Sequence, residues 1–345
     1  MSQEVKITRL GIDIGKSSFH VVGLDQAGRP VYRHKFTRDR LLQFLARASP
    51  MIVGMEACPG SNWLARKAAS FGHQVKIVPA QFVKPFVKSN KTDMVDAEAI
   101  AEAISRPTMR FTPPKTEAQL DLQALHRVRE RLVSSKTSVI NQVRAFLLEC
   151  GITIPTGAAH FVRDMPGVLS DEQNGVTPAM RNLLESLWIE YRSIEERIQF
   201  LRRQIESIAQ ADDVASRLTS VPGIGQLTAT AITAFAGNGV QFKSGRHLAS
   251  WLGLVPKEYS TGGKQRLLGI SKRGNPYLRK LLVHGARACV THMDRTQSRL
   301  GVWISQMEAK GTHPNKVVVA LANKIARIAW VILTGKNAVY LQQPQ

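Results

Sequence analysis

Leu10-Gly-Ile-Asp-Ile-Gly15 is an apolar run that reads as a buried strand, interrupted by a single carboxylate at Asp13. Burying a lone carboxylate in such a strand is costly, so Asp13 calls for a partner. Three further acids stand within the first hundred residues. Glu56 ends a second apolar run, Met51-Ile-Val-Gly-Met-Glu56. Asp93 and Asp96 lie three apart in Lys91-Thr-Asp-Met-Val-Asp-Ala-Glu98, a spacing that a helix turns onto one face. Acids at strand ends together with acids on a helix gather negative charge that divalent cations neutralise. Asp13, Glu56, Asp93 and Asp96 are therefore the candidate catalytic and metal-ligating set, suited to one or two Mg2+ ions. Glu98 and Glu102 read as the solvent face of the same helix.

Outward from Asp13, residues 5–36 read as three short strands: Ile7–Ile14, Ser18–Leu24 and Pro30–Phe36, with turn signals at Gly15-Lys16 and at Asp25-Gln-Ala-Gly28. A helix over Arg38–Ala48, the strand ending at Glu56, a helix over Ser61–Phe71 and a strand over Val75–Val78 follow. A three-strand meander followed by alternating helix and strand is the order of an RNase H-like α/β fold. Its first and fourth strands lie side by side, which places Asp13 near Glu56. The helix bearing Asp93 and Asp96 is expected over the sheet edge, with Thr92 as its N-cap.

Pro107, Pro113 and Pro114 mark a linker. Beyond it, Leu125, Val128, Leu132, Val139, Val143 and Phe146 repeat at helical spacing. Leu187, Tyr191, Ile194, Ile198, Leu201, Ile205 and Ile208 then step by alternating fours and threes, a heptad seam. Such a seam closes against the preceding helix or against a second copy of the chain. The last third opens with Ser220-Val-Pro-Gly-Ile-Gly225, which looks like a helix-hairpin-helix turn. Gly223 and Gly225 there let backbone amides approach a phosphate; a plain helix–helix turn is the other reading. The expected class is α/β plus all-α: an α/β domain over 1–112, a helical coiled-coil region over 113–212, and a mostly helical domain over 213–345.

The chain of 345 residues carries 47 Lys and Arg against 26 Asp and Glu, a net charge of +21. Between Gln241 and Leu300, twelve Lys and Arg face two acids (Glu258 and Asp294), a net of +10 in sixty residues. Such density points to a phosphate-binding surface whose affinity falls steeply with salt. With aromatics at 6%, backbone contact is expected rather than stacking on an aromatic platform. An acidic metal cage inside a basic protein points to phosphodiester chemistry on nucleic acid. An apolar share of 43% excludes global disorder. Cys58, Cys150 and Cys289 lie far apart without CxxC spacing, against a disulfide framework or zinc cluster. The start of the chain lacks the apolar core of a signal peptide. Asn323, Lys324 and Arg327 interrupt the most apolar late stretch, Val317 to Leu333. A soluble cytoplasmic protein with no membrane span is expected.

A second constellation runs Trp251-Leu-Gly-Leu-Val-Pro-Lys-Glu-Tyr-Ser260-Thr-Gly-Gly263-Lys-Gln-Arg266 and continues Gly269-Ile-Ser-Lys-Arg-Gly-Asn275-Pro-Tyr-Leu-Arg279. It sets a hydroxyl on flexible backbone beside Lys264 and Arg266, with Lys272, Arg273 and Arg279 close in sequence. Three readings stand open: a turn in which Ser260 bonds backbone, a phosphate-binding loop, or a nucleophile that forms a phosphoserine bond to DNA. Apart from Glu258, the loop holds no carboxylate or histidine to act as a base.

These motifs, taken in order, resemble one family: insertion-sequence transposases with an N-terminal RuvC-like DEDD domain and a C-terminal serine domain, the family numbered one-ten, in its eleven-eleven subgroup. The resemblance rests on Gly-Ile-Asp-Ile with Asp13, Glu56, Lys-Thr-Asp-Met-Val-Asp-Ala, Val-Pro-Gly-Ile-Gly, the Ser-Thr-Gly-Gly-Lys loop and Ile-Ser-Lys-Arg-Gly-Asn-Pro-Tyr-Leu-Arg, and it spans nearly the whole chain. It implies a recombinase that excises and inserts its own element on target and donor DNA, guided by a structured non-coding bridge RNA. It also implies Mg2+ held by the DEDD acids and a covalent serine intermediate. The active site would be composite, shared between protomers of a homo-oligomer, dimer or tetramer, in a nucleoid-associated bacterial protein. That favours the intermolecular reading of the heptad seam. Some relatives carry the serine directly before the glycine, where this chain has Thr261; Ser260 is chosen as the less hindered nucleophile. Three alternatives remain: a hydrolytic RuvC-class nuclease needing no serine loop, a sugar-kinase-like protein suggested by Gly-Ile-Asp-Ile-Gly-Lys-Ser, and a non-catalytic nucleic-acid-binding protein.

Overall fold

The structure, a computed structural model, describes residues 6–88, 92–296 and 298–341. Residues 1–5, within the start expected to lack a signal peptide, and Lys91 of the acidic motif lie outside the described residues. The chain divides into two compact units, one ending at Thr116 and the other starting at Glu117.

In the first unit, strands β1 (Arg9–Ile14), β2 (Phe19–Leu24), β3 (Pro30–Phe36), β4 (Ile52–Glu56) and β5 (Gln74–Val78) form one sheet in the order β3-β2-β1-β4-β5. β1 pairs antiparallel with β2 and parallel with β4, Ile12 opposite Met55, so Asp13 and Glu56 occupy the next positions in register. Because side chains alternate along a strand, the two faces are read directly. Leu10, Ile12, Phe19, Val21, Val53 and Met55 pack beneath helices α1 (Arg38–Arg47) and α2 (Ser61–Ser70). After β5 come the short α3 (Ala80–Val83) and then α4 (Asp93–Ala103), capped by the Thr92 hydroxyl, which accepts from the Val95 amide at 3.3 Å.

The opposite face, with Gly11, Val22 and Leu24, lies under α4 through Ala97 and Ala101. A Cβ at Gly11 would stand 2.2 Å from the Ala97 carbonyl, and one at Gly54 would stand 2.5 Å from Ile104. The expectation of α4 at the sheet edge is thus corrected: these glycines and alanines make a flat seat on the sheet face, and α4 settles over β1 and β2. Glu98 and Glu102 are likewise not a free solvent face. Both are half-buried, Glu98 paired with Arg33 at 2.6 Å and both with Lys88.

The proline stretch at 107–114 belongs to this unit rather than to a linker. Thr112 bridges to Ile77, the Lys115 amide donates to Asn62 Oδ1 at 2.9 Å, and Arg66 donates to the Lys115 carbonyl at 2.9 Å.

In the second unit α5 (Glu117–Glu149), α6 (Ala158–Ser170) and α7 (Pro178–Ala211) share one core. Tyr191, Ile194, Ile198 and Leu201 of the heptad seam pack with Leu132, Val139, Val143 and Leu147 of α5, and Lys136 ties α5 to Glu195 at 2.8 Å. The seam therefore closes within the chain, correcting the intermolecular reading: one antiparallel neighbour already buries the apolar stripe.

Helices α8 (Asp213–Leu218), α9 (Gln226–Ala236), α10 (Gly245–Trp251), α11 (Pro276–His292), α12 (Arg299–Ala309) and α13 (Pro314–Thr334) build the other core. α13 is long and apolar enough to cross a membrane by length and composition, but half of that stretch is buried, and Val317, Leu321, Ile325 and Ala329 form part of the core. Fully buried His126 of α5 bonds Tyr277 Oη of α11 at 3.0 Å and Thr230 Oγ1 of α9 at 3.2 Å. Burial drives the imidazole down to about 4 and the Tyr277 phenol up to about 12. This network joins α5 to the C-terminal helices, so the regions expected at 113–212 and 213–345 form one compact unit. The unit also contains a two-stranded hairpin, β6 (Pro256–Glu258) with β7 (Leu267–Ile270), where a loop was expected.

Candidate active site

The acids converge on the α4 face of the sheet. Asp13 pairs with His20 across the β1–β2 ladder, which puts both side chains on that face. His20 is 8% exposed, and its Nδ1 lies 3.4 Å from Asp93 Oδ2. Asp13, His20 and Asp93 each offer one ligand atom within 4.8 Å of the other two. Glu56 follows Asp13 in register on the adjacent strand. Burial pushes the Cys58 thiol up, and the charges of Glu56 and Asp13 push it further, so both carboxylates bear on one point. Asp96 sits one turn along α4 from Asp93; neither Asp96 nor Glu56 belongs to the 4.8 Å trio. Two carboxylates at the start of α4 also face the positive end of its dipole.

Sequence reasoning missed His20. A signal was present: it is the polar residue inside Phe19-His-Val-Val-Gly-Leu24, but its alignment with Asp13 is set by pairing, not by spacing. Two hard oxygen donors and one imidazole, with the Asp93 side chain 64% exposed at the mouth, suit a divalent cation that keeps open positions for a substrate oxygen.

The second candidate centre is local. Pro256 pairs with Ile270 and Glu258 with Leu267. At the tip, the Lys264 amide donates to the Thr261 carbonyl at 3.0 Å, with Gly262 at φ +54° and Gly263 at φ +75°. Two central residues of positive φ make a primed hairpin turn, which glycine adopts without strain. Ser260 Oγ donates to Glu258 Oε1 at 2.7 Å and accepts from the Arg266 amide at 3.4 Å. Ser260, Lys264, Arg266, Lys272 and Arg273 are all exposed.

Arg279, expected at DNA, donates to the carbonyls of Leu252 at 2.9 Å and Arg273 at 3.1 Å, bracing the hairpin base. Gly223, at φ +86°, lies where a Cβ would meet the Gly285 backbone of α11 at 3.0 Å, so its freedom serves helix packing. Gly225 stands exposed at the start of α9.

A 3-2-1-4-5 sheet with acids at the ends of β1 and β4 and at the start of the helix on its face fits a RuvC-like DEDD domain, a class that typically works with divalent metal. Residues 10–152 match the DEDD transposase family of the IS110 type, and residues 215–300 match the family described as "Transposase IS116/IS110/IS902 family". The transposase for insertion sequence element IS1328 of Yersinia enterocolitica is 44% identical over 328 residues, covering 95% of this chain and 97% of that protein. The transposase for insertion sequence element IS1111A of Coxiella burnetii is 41% identical over 336 residues, covering 97% and 91%. More distantly, the pilin gene-inverting protein of Moraxella bovis is 24% identical over 283 residues, covering 79% and 77%. The chain belongs to the IS110 family of insertion-sequence transposases, enzymes that cleave and rejoin DNA.

Proposed function

We propose that this transposase cuts DNA by attack of the Ser260 hydroxyl on a phosphodiester, assisted by Mg2+ at the acid site. The observation that carries this reading is the Ser260 hydroxyl itself, held at the exposed end of a basic hairpin and already donating to a carboxylate. Asp13 and Asp93 are the oxygen donors for the ion, His20 a nitrogen donor, and Glu56 and Asp96 complete the charge balance around it. A divalent ion bound there supplies Lewis-acid polarisation of a phosphoryl oxygen. Lys264 and Arg266 hold the scissile phosphate, Lys272 and Arg273 the flanking backbone, and the amides at Gly225 a more distant phosphate at the start of α9.

In this reading a structured guide RNA chooses target and donor DNA by pairing, and the protein's charge of +21 serves both nucleic acids. The acids of one protomer act with the serine of another. Because the α7 seam is covered by α5, assembly uses other surfaces. Mixing Asp13→Asn protein with Ser260→Ala protein tests the sharing: recovered cleavage supports it, and a mixture as inactive as its parts counts against it.

The deciding experiment is a denaturing gel of protein, Mg2+, cognate RNA and labelled DNA, beside Ser260→Ala. The expected result is a protein–DNA band that resists denaturant and vanishes in the variant. Cleavage without an adduct would instead assign a hydrolytic nuclease of the RuvC class, and an adduct that persists in Ser260→Ala would move the nucleophile to Thr261.

A further inference from the structure

We propose that Glu258 is the proton acceptor for Ser260, an assignment that rests on the serine reading above. A serine hydroxyl is a weak nucleophile until a neighbouring group takes its proton. Glu258 closes β6, and Ser260 stands two positions on; alternation along the strand sends both side chains to one side of the hairpin. There the Oγ–H donates to Glu258 Oε1 at 2.7 Å, within reach for direct proton transfer.

Two further bonds fix the geometry. Gln265 Nε2 donates to the same carboxylate oxygen at 3.3 Å, and the Arg266 amide donates to Ser260 Oγ at 3.4 Å. The backbone holds the hairpin independently of these side chains, through Tyr259 N to Arg266 O at 2.9 Å and Lys264 N to Thr261 O at 3.0 Å. The Glu258–Ser260 contact is therefore not needed to close the turn. It also separates the two candidate hydroxyls. Thr261 contributes its carbonyl to the turn, and the hydroxyl bonded to a carboxylate is that of Ser260.

The step balances without any outside reagent. Ser260 Oγ forms a bond to phosphorus as the bond from phosphorus to one DNA oxygen breaks. The hydroxyl proton passes to the Glu258 carboxylate and from there to the departing DNA oxygen, leaving a phosphoserine diester and a free DNA hydroxyl. Rejoining runs the same path in reverse: the DNA hydroxyl gives its proton to Glu258 as it attacks, and Glu258 returns it to Ser260 Oγ. One phosphodiester is exchanged for another at each stage, so the bond is conserved for ligation.

The test is the single-turnover rate of adduct formation at saturating DNA, with DNA affinity measured alongside. Glu258→Gln keeps size and hydrogen bonding but cannot take the proton. It is expected to slow adduct formation by about 100-fold or more, with DNA affinity held within about twofold. Glu258→Asp, which restores the carboxylate, is expected to recover part of the rate. Wild-type adduct rates in Glu258→Gln, with Ser260→Ala inactive, would overturn the assignment and leave the serine reading standing. An adduct that persists in Ser260→Ala would overturn both. Equal losses of rate and DNA affinity in the Gln and Asp variants would reduce Glu258 to a structural contact and overturn it too.

Discussion

Asp13, His20 and Asp93 come from three separate elements, β1, β2 and α4, with Glu56 next in register on β4, and meet only because the sheet and the helix on its face bring them together. Glu258, Ser260, Gln265 and Arg266 meet within a single hairpin. The first site is partly sunk against a packed core, and the second is open to solvent. The difference has a physical basis. The cation site proposed at the acids holds like charges close together, and here a framework of packed strands and helix resists their repulsion. The nucleophile proposed at Ser260 would engage a long charged polymer and so needs access, which a short stem with a primed turn provides.

The comparison is broken most severely by removing one member of each centre. Asp13→Asn should lower strand cleavage by about 10³-fold or more, the worth of several kcal/mol of charge stabilisation, while binding of the guide RNA proposed above, measured by filter retention, stays near wild type. Ser260→Ala should be as inactive yet bind Mn2+ as the parent does by calorimetry. If Asp13→Asn also left Mn2+ binding untouched, the acid site would not be the metal site.

Gly11→Val sharpens the dependence of the acid site on packing. Its side chain has no room against the Ala97 carbonyl, 2.2 Å from where a Cβ would sit. It should cost about 1–3 kcal/mol in a denaturant titration and weaken metal binding without touching a ligand. A valine at exposed Gly269, beside which a Cβ meets nothing within 4 Å, should leave both quantities close to wild type.

His126 tests the frame that joins α5 to α9 and α11. Its folded value of about 4 lies below the ordinary 6.5. The unfolded chain therefore binds the proton first, and stability is full above pH 6.5 and falls as pH drops toward 4. Between pH 7 and pH 5 the loss should be about 2 kcal/mol, and it should disappear from the pH dependence of His126→Gln. An identical pH dependence in both proteins would place the acid sensitivity elsewhere.

The smallest effect is expected from charge alone. Lys272→Ala and Arg273→Ala should each weaken DNA binding across sequences and lower the salt slope by about 1. Arg279→Ala should instead act through stability, since its guanidinium braces two carbonyls. A change in salt slope for Arg279→Ala would return it to the DNA interface.

Much of the α/β unit was legible in the chain. The strands at the apolar runs 10–15 and 51–56, the meander that the first of them opens and the Thr92 cap all stand where the pattern of residues placed them. Other features escaped the pattern. α4 on the face rather than the edge depended on what Gly11 and Gly54 touch, and the sequence gives no sign of that. His20 joined the acids through strand pairing. The heptad seam had two physically equal partners, and only the packing of α5 chose between them. The hairpin around Ser260 was hidden because a stem of a few exposed residues carries little hydrophobic alternation.

By itself, then, the sequence determined the local quantities: which segments bury apolar side chains, where a helix begins, where glycine allows a turn, and the net charge of +21. Each follows from interactions between residues near one another in the chain. The tertiary structure alone decided which distant groups share a site, that the middle helices belong with the C-terminal ones, and that α4 lies on the sheet face rather than its edge. Those outcomes depend on register, close approach and side-chain direction, which are fixed only once the separate elements have packed.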